Sequence, residues 1–279
     1  MTPIRISSFA KDGQGGNPAG VVIAPTLPTP EEMQAVAADL GYSETAFAAP
    51  EGAAWRVRYY APVCEVPFCG HATIALGAAL GAQEGAGEFA LNLRYDAITV
   101  EAMQVEGIWH AALQSPQTRS SRMADDLLGQ MLDLFGLGFD DLNLDLPPTM
   151  AFGGALHGVL ALKDRATLSA MAYPFEEMKA LMDARDIVTI NLLHVTTPRQ
   201  FASRNAFASG GVVEDPATGA AAAALGGLLV DFKWDGLQAG GAFDVVQGED
   251  MGQPSAIKVE VTGQIGQSVR VSGAVRWIE

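Results

Sequence analysis

Glu65–Leu80 reads EVPFCGHATIALGAAL, and Val213–Leu225 reads VEDPATGAAAAAL. In each, a polar or reactive residue precedes a helix start, and an Ala/Gly-rich apolar helix follows. Thr73 and Thr218 lie 145 positions apart, and at that offset Ala72/Ala217, Ala75/Ala220, Ala78/Ala223, Leu80/Leu225 and Gly81/Gly226 also match. A repeat of so long a period predicts two related half-molecules with a cleft between them. A helix with no polar face must be buried on all sides, and small side chains let a surrounding sheet come close. A curved sheet wrapped around a central helix meets both demands. A core helix in any α/β protein would read the same way.

Working outward, Ile4–Phe9 and Val21–Ala24 read as short strands around the glycine-rich turn Gly13–Gly16. Thr29-Pro30-Glu31-Glu32 is a helix start with an N-cap, a proline at the first position and acids in the first turn. Gly41 is its terminator. Thr45–Ala49, Ala54–Tyr60, Glu88–Leu93, Ala97–Glu101 and Gly107–Leu113 are β-rich. Gln114–Ser121 (QSPQTRSS) is polar, carries a proline and lies near the midpoint, so it is the linker candidate. Beyond it come a helix over Met123–Phe135, helical segments at Arg165–Met171 and Glu176–Met182, and a buried strand at Ile187–Val195. Strand pieces follow the second Ala-rich helix at Ala242–Gln247, Ala256–Thr262 and Ser268–Ser272. Helices do not alternate regularly with strands, which predicts an α+β fold with mainly antiparallel sheets.

With 279 residues, 49% of them hydrophobic and 18% charged, the chain has ample material for real cores and two domains. A net charge of −15 repels polyanions and argues against nucleic acid or an anionic membrane as partner. It leaves an anionic small molecule open, because helix N-termini make a cleft locally positive. Cys64 and Cys69 suggest no disulfide framework, and the four histidines, His71, His110, His157 and His194, form no zinc-spaced cluster. The N-terminal stretch has no apolar core of a signal peptide, and the apolar run at Ala217–Val230 is too short to span a bilayer. A soluble cytoplasmic protein is the expectation.

Three residues carry possible chemistry. Glu44 stands between two hydroxyl residues at the edge of an apolar strand, where it reads either as a surface carboxylate or as a base. Asp215 directly precedes Pro216 and reads as a helix N-cap. His71 lies at a helix N-terminus and is either a partnered polar group or a functional one.

Five ordered motifs resemble the PhzF-type isomerases of phenazine biosynthesis, within the diaminopimelate-epimerase-like superfamily. They are Gly16-Asn-Pro-Ala-Gly-Val-Val22, Ser43-Glu-Thr-Ala-Phe47, Glu65-Val-x-x-Cys-Gly-His-Ala-Thr73, Glu214-Asp-Pro-Ala-Thr-Gly-Ala-Ala221 and Gln247-Gly-x-x-Met-Gly-x-Pro-Ser255. The resemblance implies two similar domains, each a barrel-like sheet around a central helix, with the site between them. The expected domains are 1–116, joined by a C-terminal strand at about 265–279, and 117–264. It also implies a homodimer that needs neither metal nor organic cofactor. Glu44 would take and return a proton on carbon, and His71 and Asp215 would line the site. Backbone N–H groups near Gly70, Thr218, Gly219 and Ala220 would bind a substrate carboxylate, with Asn17 also in the binding set. Helix N-termini suit an anion physically, since they offer unpaired donors and a favourable dipole. Ala220 stands where many members carry serine, the usual Arg-x-Phe-x-Pro becomes Arg204-Asn-Ala-Phe-Ala208, and Gln253 replaces a common arginine.

The leading reading is thus an isomerase moving a proton on a small carboxylate-bearing metabolite. Its rivals are an amino-acid epimerase using two thiols, a binding protein without chemistry, and a hydrolase using Cys69. Asp215 stands near where the second thiol would be, which disfavours the epimerase. Two residues apart, Cys69 and His71 are expected to point in different directions, which disfavours the hydrolase.

Overall fold

The computed structural model describes residues 2–95 and 97–279. Its first unit, Met1–Gln114 with Ser272–Glu279, opens with the antiparallel pair β1 (Ile4–Ser8) and β2 (Asn17–Ile23). Helix α1 (Pro30–Leu40) is bounded as its sequence dictates. The Thr29 hydroxyl accepts from Glu32 N–H at 3.3 Å, Glu32 Oε2 accepts from Thr29 N–H at 2.9 Å, and Gly41 closes the helix at φ 69°. Then follow β3 (Thr45–Glu51), β4 (Ala54–Tyr60), the two-residue β5 (Glu65–Val66), helix α2 (Gly70–Glu84), and β6 (Gly87–Asn92), β7 (Ala97–Val105) and β8 (Ile108–Gln114).

The second unit, Ser115–Val271, starts with β9 (Arg119–Arg122), α3 (Asp125–Phe135), β10 (Thr149–Phe152) and β11 (Leu156–Leu162). Helices α4 (Arg165–Ser169) and α5 (Phe175–Ala184) lead to β12 (Thr189–Thr197) and β13 (Gln200–Ala206). After them come the two-residue β14 (Glu214–Asp215), helix α6 (Gly219–Asp231), β15 (Gly241–Gln247), β16 (Ser255–Val261) and β17 (Arg270–Trp277). From Ser272 onward β17 belongs to the first unit, where Val275 pairs with Ser8.

Each unit wraps its sheet around one apolar helix. All side chains from His71 to Gly81 of α2 are buried, and the helix touches β1, β2, β3, β6, β7 and β8. Likewise α6 is buried from Ala221 to Val230 and touches β9, β10, β11 and β16. The α+β class and the sheet-around-helix design expected from the Ala/Gly segments are what the structure has.

The two units repeat one another strand by strand. In the first, β2 is parallel to β3, β3 antiparallel to β4, β4 antiparallel to β5 and parallel to β6, and β6 antiparallel to β7. Strands β11 to β16 of the second unit follow the same scheme. Registers coincide as well: Tyr60 faces Glu65 and Tyr59 faces Val66, as Ala206 faces Glu214 and Asn205 faces Asp215. Gly70 and Gly219, each five residues past its glutamate, begin the central helices.

The offset that superposes the helix mouths is therefore 149, pairing Glu65/Glu214, Pro67/Pro216, Gly70/Gly219, Ala72/Ala221 and Gly77/Gly226, and not the 145 read from the sequence. The difference of four is about one helical turn, and an Ala-rich helix matches itself nearly as well after that slip. Contacts confirm the longer offset. A Cβ on Gly77 would lie 2.5 Å from Val100, and one on Gly226 would lie 3.0 Å from Val259, at corresponding positions of β7 and β16.

Three local readings are corrected. The end of QSPQTRSS is not linker, because Arg119–Arg122 pairs antiparallel with β10. Helix α3 begins at Asp125 rather than Met123, whose side chain is buried in the core of this unit. Asp215 is not an N-cap: it lies in β14, and Thr218 occupies the cap position of α6. Among the described residues, no helix is long and apolar enough to cross a membrane.

Candidate active site

In the first unit, β4 and β5 bring the chain to the mouth of α2. Arg58 binds Glu65 through both Nε and Nη2, the latter at 2.6 Å, and Arg94 Nη1 donates to the same carboxylate at 2.6 Å. These hydrogen bonds, chiefly those from Arg58, hold the Glu65 carboxyl below the usual carboxylate range. The pair fixes the turn that delivers Cys69, Gly70 and His71. Beneath it Tyr59 is fully buried, and burial pushes its phenol up. Its hydroxyl lies 2.7 Å from Thr73 Oγ1, which donates to the Cys69 carbonyl at 2.7 Å. Since the threonine hydrogen is used there, the tyrosine is the donor. Ser8 Oγ donates to the His71 carbonyl at 2.7 Å, and Asn17 is buried opposite Ser8 in the β1–β2 pair.

The side chains held this way converge. His71 Nε2 lies 3.5 Å from Glu44 Oε2 and 3.3 Å from Ser43 Oγ. His71 Nδ1 lies 3.3 Å from Cys69 Sγ. The expectation that His71 points away from Cys69 is thus overturned. Cys69 is the N-cap residue in extended backbone and His71 is in the first turn, so both side chains rise from the same end of the helix. Cys69 and His71 are 7% and 8% exposed, and the Glu44 side chain 17%, so the cluster is nearly enclosed yet reachable at its acid. Among the described residues, Glu44, Cys69 and His71 form the group able to offer three ligand atoms to a metal ion, all within 4.8 Å of one another. A Cβ on Gly70 would meet nothing within 4 Å, so the first backbone of α2 is open beside this cluster.

In the second unit the corresponding mouth is built differently. Arg204 grips Glu214 with Nε at 3.0 Å and with Nη2, and donates from Nη1 to the Ser169 carbonyl at 2.7 Å. Glu214 and Arg204 side chains are 5% and 11% exposed. Asp215 Oδ2 accepts from Thr218 Oγ1 at 2.6 Å. Gln247 Nε2 donates to the Asp215 carbonyl at 2.6 Å and to Thr218 Oγ1 at 3.1 Å, while its Oε1 accepts from Thr218 N–H at 3.2 Å. Thr218, Gly219 and Ala220 are partly exposed. Neither Cys69 nor Thr218 caps its helix through the side chain, so first-turn amides are left for another acceptor.

Comparing the two mouths residue by residue puts Thr218, not Asp215, at the position of Cys69, and puts Asp215 at that of Val66. Thr189 stands at the position of Glu44, since Thr45 and Ile190 share both neighbouring pairings. Thr189 belongs to a buried chain of hydrogen bonds. Its hydroxyl donates to Asn205 Oδ1 at 2.8 Å and therefore accepts from His157 Nδ1 at 2.8 Å; Asn205 Nδ2 donates to Ser203 Oγ, which donates to Asn191 Oδ1. Burial lowers His157 to about 3.

The structure thus brings Glu44, His71 and Gly70 together with Ser43 and Cys69 in one unit, and Asp215, Thr218 and Gly219 with Gln247 in the other. The leading reading of the sequence gives Ser43, Cys69 and Gln247 no part in the site; Cys69 enters there only through the rival epimerase and hydrolase. The Cys69-Gly-His71 spacing at a helix start was the available signal for Cys69. Gln247 opens the fifth motif, but no local pattern ties it to Asp215, which it reaches through the pairing of β15 with β13.

Two topologically equivalent units, each with a sheet closed about an apolar helix, and acid groups at the helix starts, define the diaminopimelate-epimerase-like fold. The model of the phenazine biosynthesis-like protein family matches residues 6–278, and the chain belongs to that family. It is 31% identical to an uncharacterized isomerase of Deinococcus radiodurans, over 96% of this chain and 90% of the relative. It is 30% identical to the trans-2,3-dihydro-3-hydroxyanthranilate isomerase of Pseudomonas aeruginosa, over 97% of this chain and 94% of that enzyme. Its fold is similar to the crystal structure of a Bacillus anthracis PhzF-family protein, with a TM-score of 0.88 at 22% identity over 99% and 96% of the two chains. The chain is an isomerase-type enzyme.

Proposed function

We propose that the protein moves a proton between carbons of a small carboxylate-bearing metabolite using its own side chains, with Glu44 as the group that takes and returns the proton. One observation carries this reading: the Glu44 carboxylate sits 3.5 Å from His71 Nε2 in a nearly enclosed cluster at the mouth of α2. A carboxylate so placed has an imidazole nitrogen within ion-pair reach, itself 3.3 Å from Ser43 Oγ, that can steady the acid during proton transfer, as general acid–base work requires. The open amides at the start of α2, beside Gly70, suit a substrate carboxylate. Asp215 and Thr218 are assigned to substrate handling, held in place by Gln247. The resemblance to an isomerase of trans-2,3-dihydro-3-hydroxyanthranilate supports a cyclic, conjugated acid as the substrate class.

The epimerase alternative needs a thiol at both helix mouths. Only Cys69 is present, and its counterpart Thr218 has its hydroxyl committed to Asp215.

The test is a screen of amino acids and short or cyclic conjugated acids for deuterium uptake from solvent, with Glu44→Gln alongside. A substrate that exchanges with the wild type and is slowed by about 10²–10⁴ in the variant, while still bound, supports the reading. Equal exchange in the two proteins sinks it.

A further inference from the structure

Cys69, His71 and Glu44 combine a thiol, an imidazole and a carboxylate, the donor set of zinc and its soft relatives rather than of magnesium or calcium, which take oxygen ligands. We propose that this cluster binds one thiophilic divalent cation, Zn²⁺ or Cd²⁺, and that the bound ion silences the site. The spacing fits. In a tetrahedral site with bonds of about 2.0–2.3 Å, ligand atoms lie about 3.3–3.7 Å apart. His71 Nε2 is 3.5 Å from Glu44 Oε2 and 4.0 Å from Cys69 Sγ, and all three donor atoms lie within 4.8 Å of one another, so the two edges that end on the thiol must tighten, by about 0.5–1 Å.

The backbone supporting these donors is fixed before any ion arrives. The Cys69 carbonyl is held by Thr73, and the His71 carbonyl by Ser8. Rigid anchoring of this kind is what lets three ligands meet one ion at low entropic cost. Charge balances too. The Cys69 thiol releases its proton to solvent on binding, the imidazole coordinates in its neutral form, and thiolate with carboxylate neutralise the dication. A net charge of −15 raises the cation concentration near the surface. Three protein ligands leave a fourth position for water. The consequence for turnover follows from Glu44, since a metal-bound carboxylate cannot accept a proton from carbon; that part alone rests on the function proposed above.

The experiment is titration of the reduced full-length protein with Cd²⁺, read by thiolate-to-cadmium charge-transfer absorption and by proton release, neither of which requires a substrate. One equivalent is expected to saturate the band. Cys69→Ser abolishes it, Cys64→Ser at the exposed second cysteine leaves it intact, and His71→Ala or Glu44→Gln each weakens binding about tenfold or more. Circular dichroism accompanies each variant, and Cys69→Ala serves if the serine variant does not fold. A band that survives Cys69→Ser, depends on Cys64, or is indifferent to both His71 and Glu44 overturns the proposal. Tight Cd²⁺ binding in a protein whose proton exchange ignores Glu44 would uphold the metal site and refute the proposed function, so the two fail separately.

Discussion

Cys69 and Thr218 are one position seen twice: each directly precedes the glycine that starts its unit's central helix, four residues past an arginine-bound glutamate. Their partners differ. Cys69 Sγ lies 3.3 Å from a ring nitrogen of His71, whereas the Thr218 hydroxyl donates to Asp215 at 2.6 Å. The duplicated scaffold therefore holds a thiol–imidazole–carboxylate cluster at one mouth and a hydroxyl–carboxylate–amide cluster at the other.

Arg204 and Glu214 form a buried, two-pronged ion pair beside Asp215. Removing one partner strands the other charge in the interior, so Arg204→Met should destabilise the protein by about 3–5 kcal/mol. The double variant Arg204→Met/Glu214→Leu should recover a large part of that loss. Denaturant titration of the two variants checks this, and equal stability of single and double variants would contradict it.

Gly153 lies against the backbone of α6. A Cβ there would fall 2.4 Å from the Ala224 nitrogen and 2.9 Å from the Ala220 oxygen, neither of which can swing aside. Overpacking should make Gly153→Ala less stable by about 1–3 kcal/mol. Gly129, exposed within α3 with nothing within 4 Å of its added carbon, should behave oppositely. There Gly→Ala should stabilise by about 0.5–1 kcal/mol through helix propensity. Thermal melts of the pair give the comparison.

His157 titrates at about 3 in the folded chain against an ordinary value of 6.5. Between those values the unfolded state holds a proton that the native state lacks, so acid favours unfolding. The stability is whole above the ordinary value and declines as pH falls below it, by about 2 kcal/mol from this group at pH 5. His157→Asn, which keeps a side-chain N–H for Thr189, should flatten that part of the stability–pH curve. Parallel slopes for the two proteins between pH 7.5 and 5 would show that another group is responsible.

Much of this architecture was legible in the chain. Thr29, Pro30 and Gly41 bound α1 through local rules, and the helices without a polar face had no option but central burial. Features resting on very short or long-range pairing were less visible. Strand β14 is two residues long, too short for any periodicity, so Asp215 looked like a cap. The repeat was misread by one turn because alanines cannot distinguish one helical turn from the next; Glu65 and Glu214, with their arginines on β4 and β13, could have fixed it. Glu44 and Cys69 meet through the packing of β3, β4 and α2, which no local window contains.

Thr189, locked between His157 and Asn205, has a consequence for anyone who would make the molecule symmetrical. Writing an acid into that slot, to mirror Glu44, would lodge an extra anion in the interior, where the Asn205 oxygen already takes the Thr189 hydrogen and the Asn191 oxygen that of Ser203. The two units offer equivalent frames, and in the second this position is taken up by the hydrogen-bonded Thr189. The reactive potential of the pair cannot be doubled by copying a side chain across.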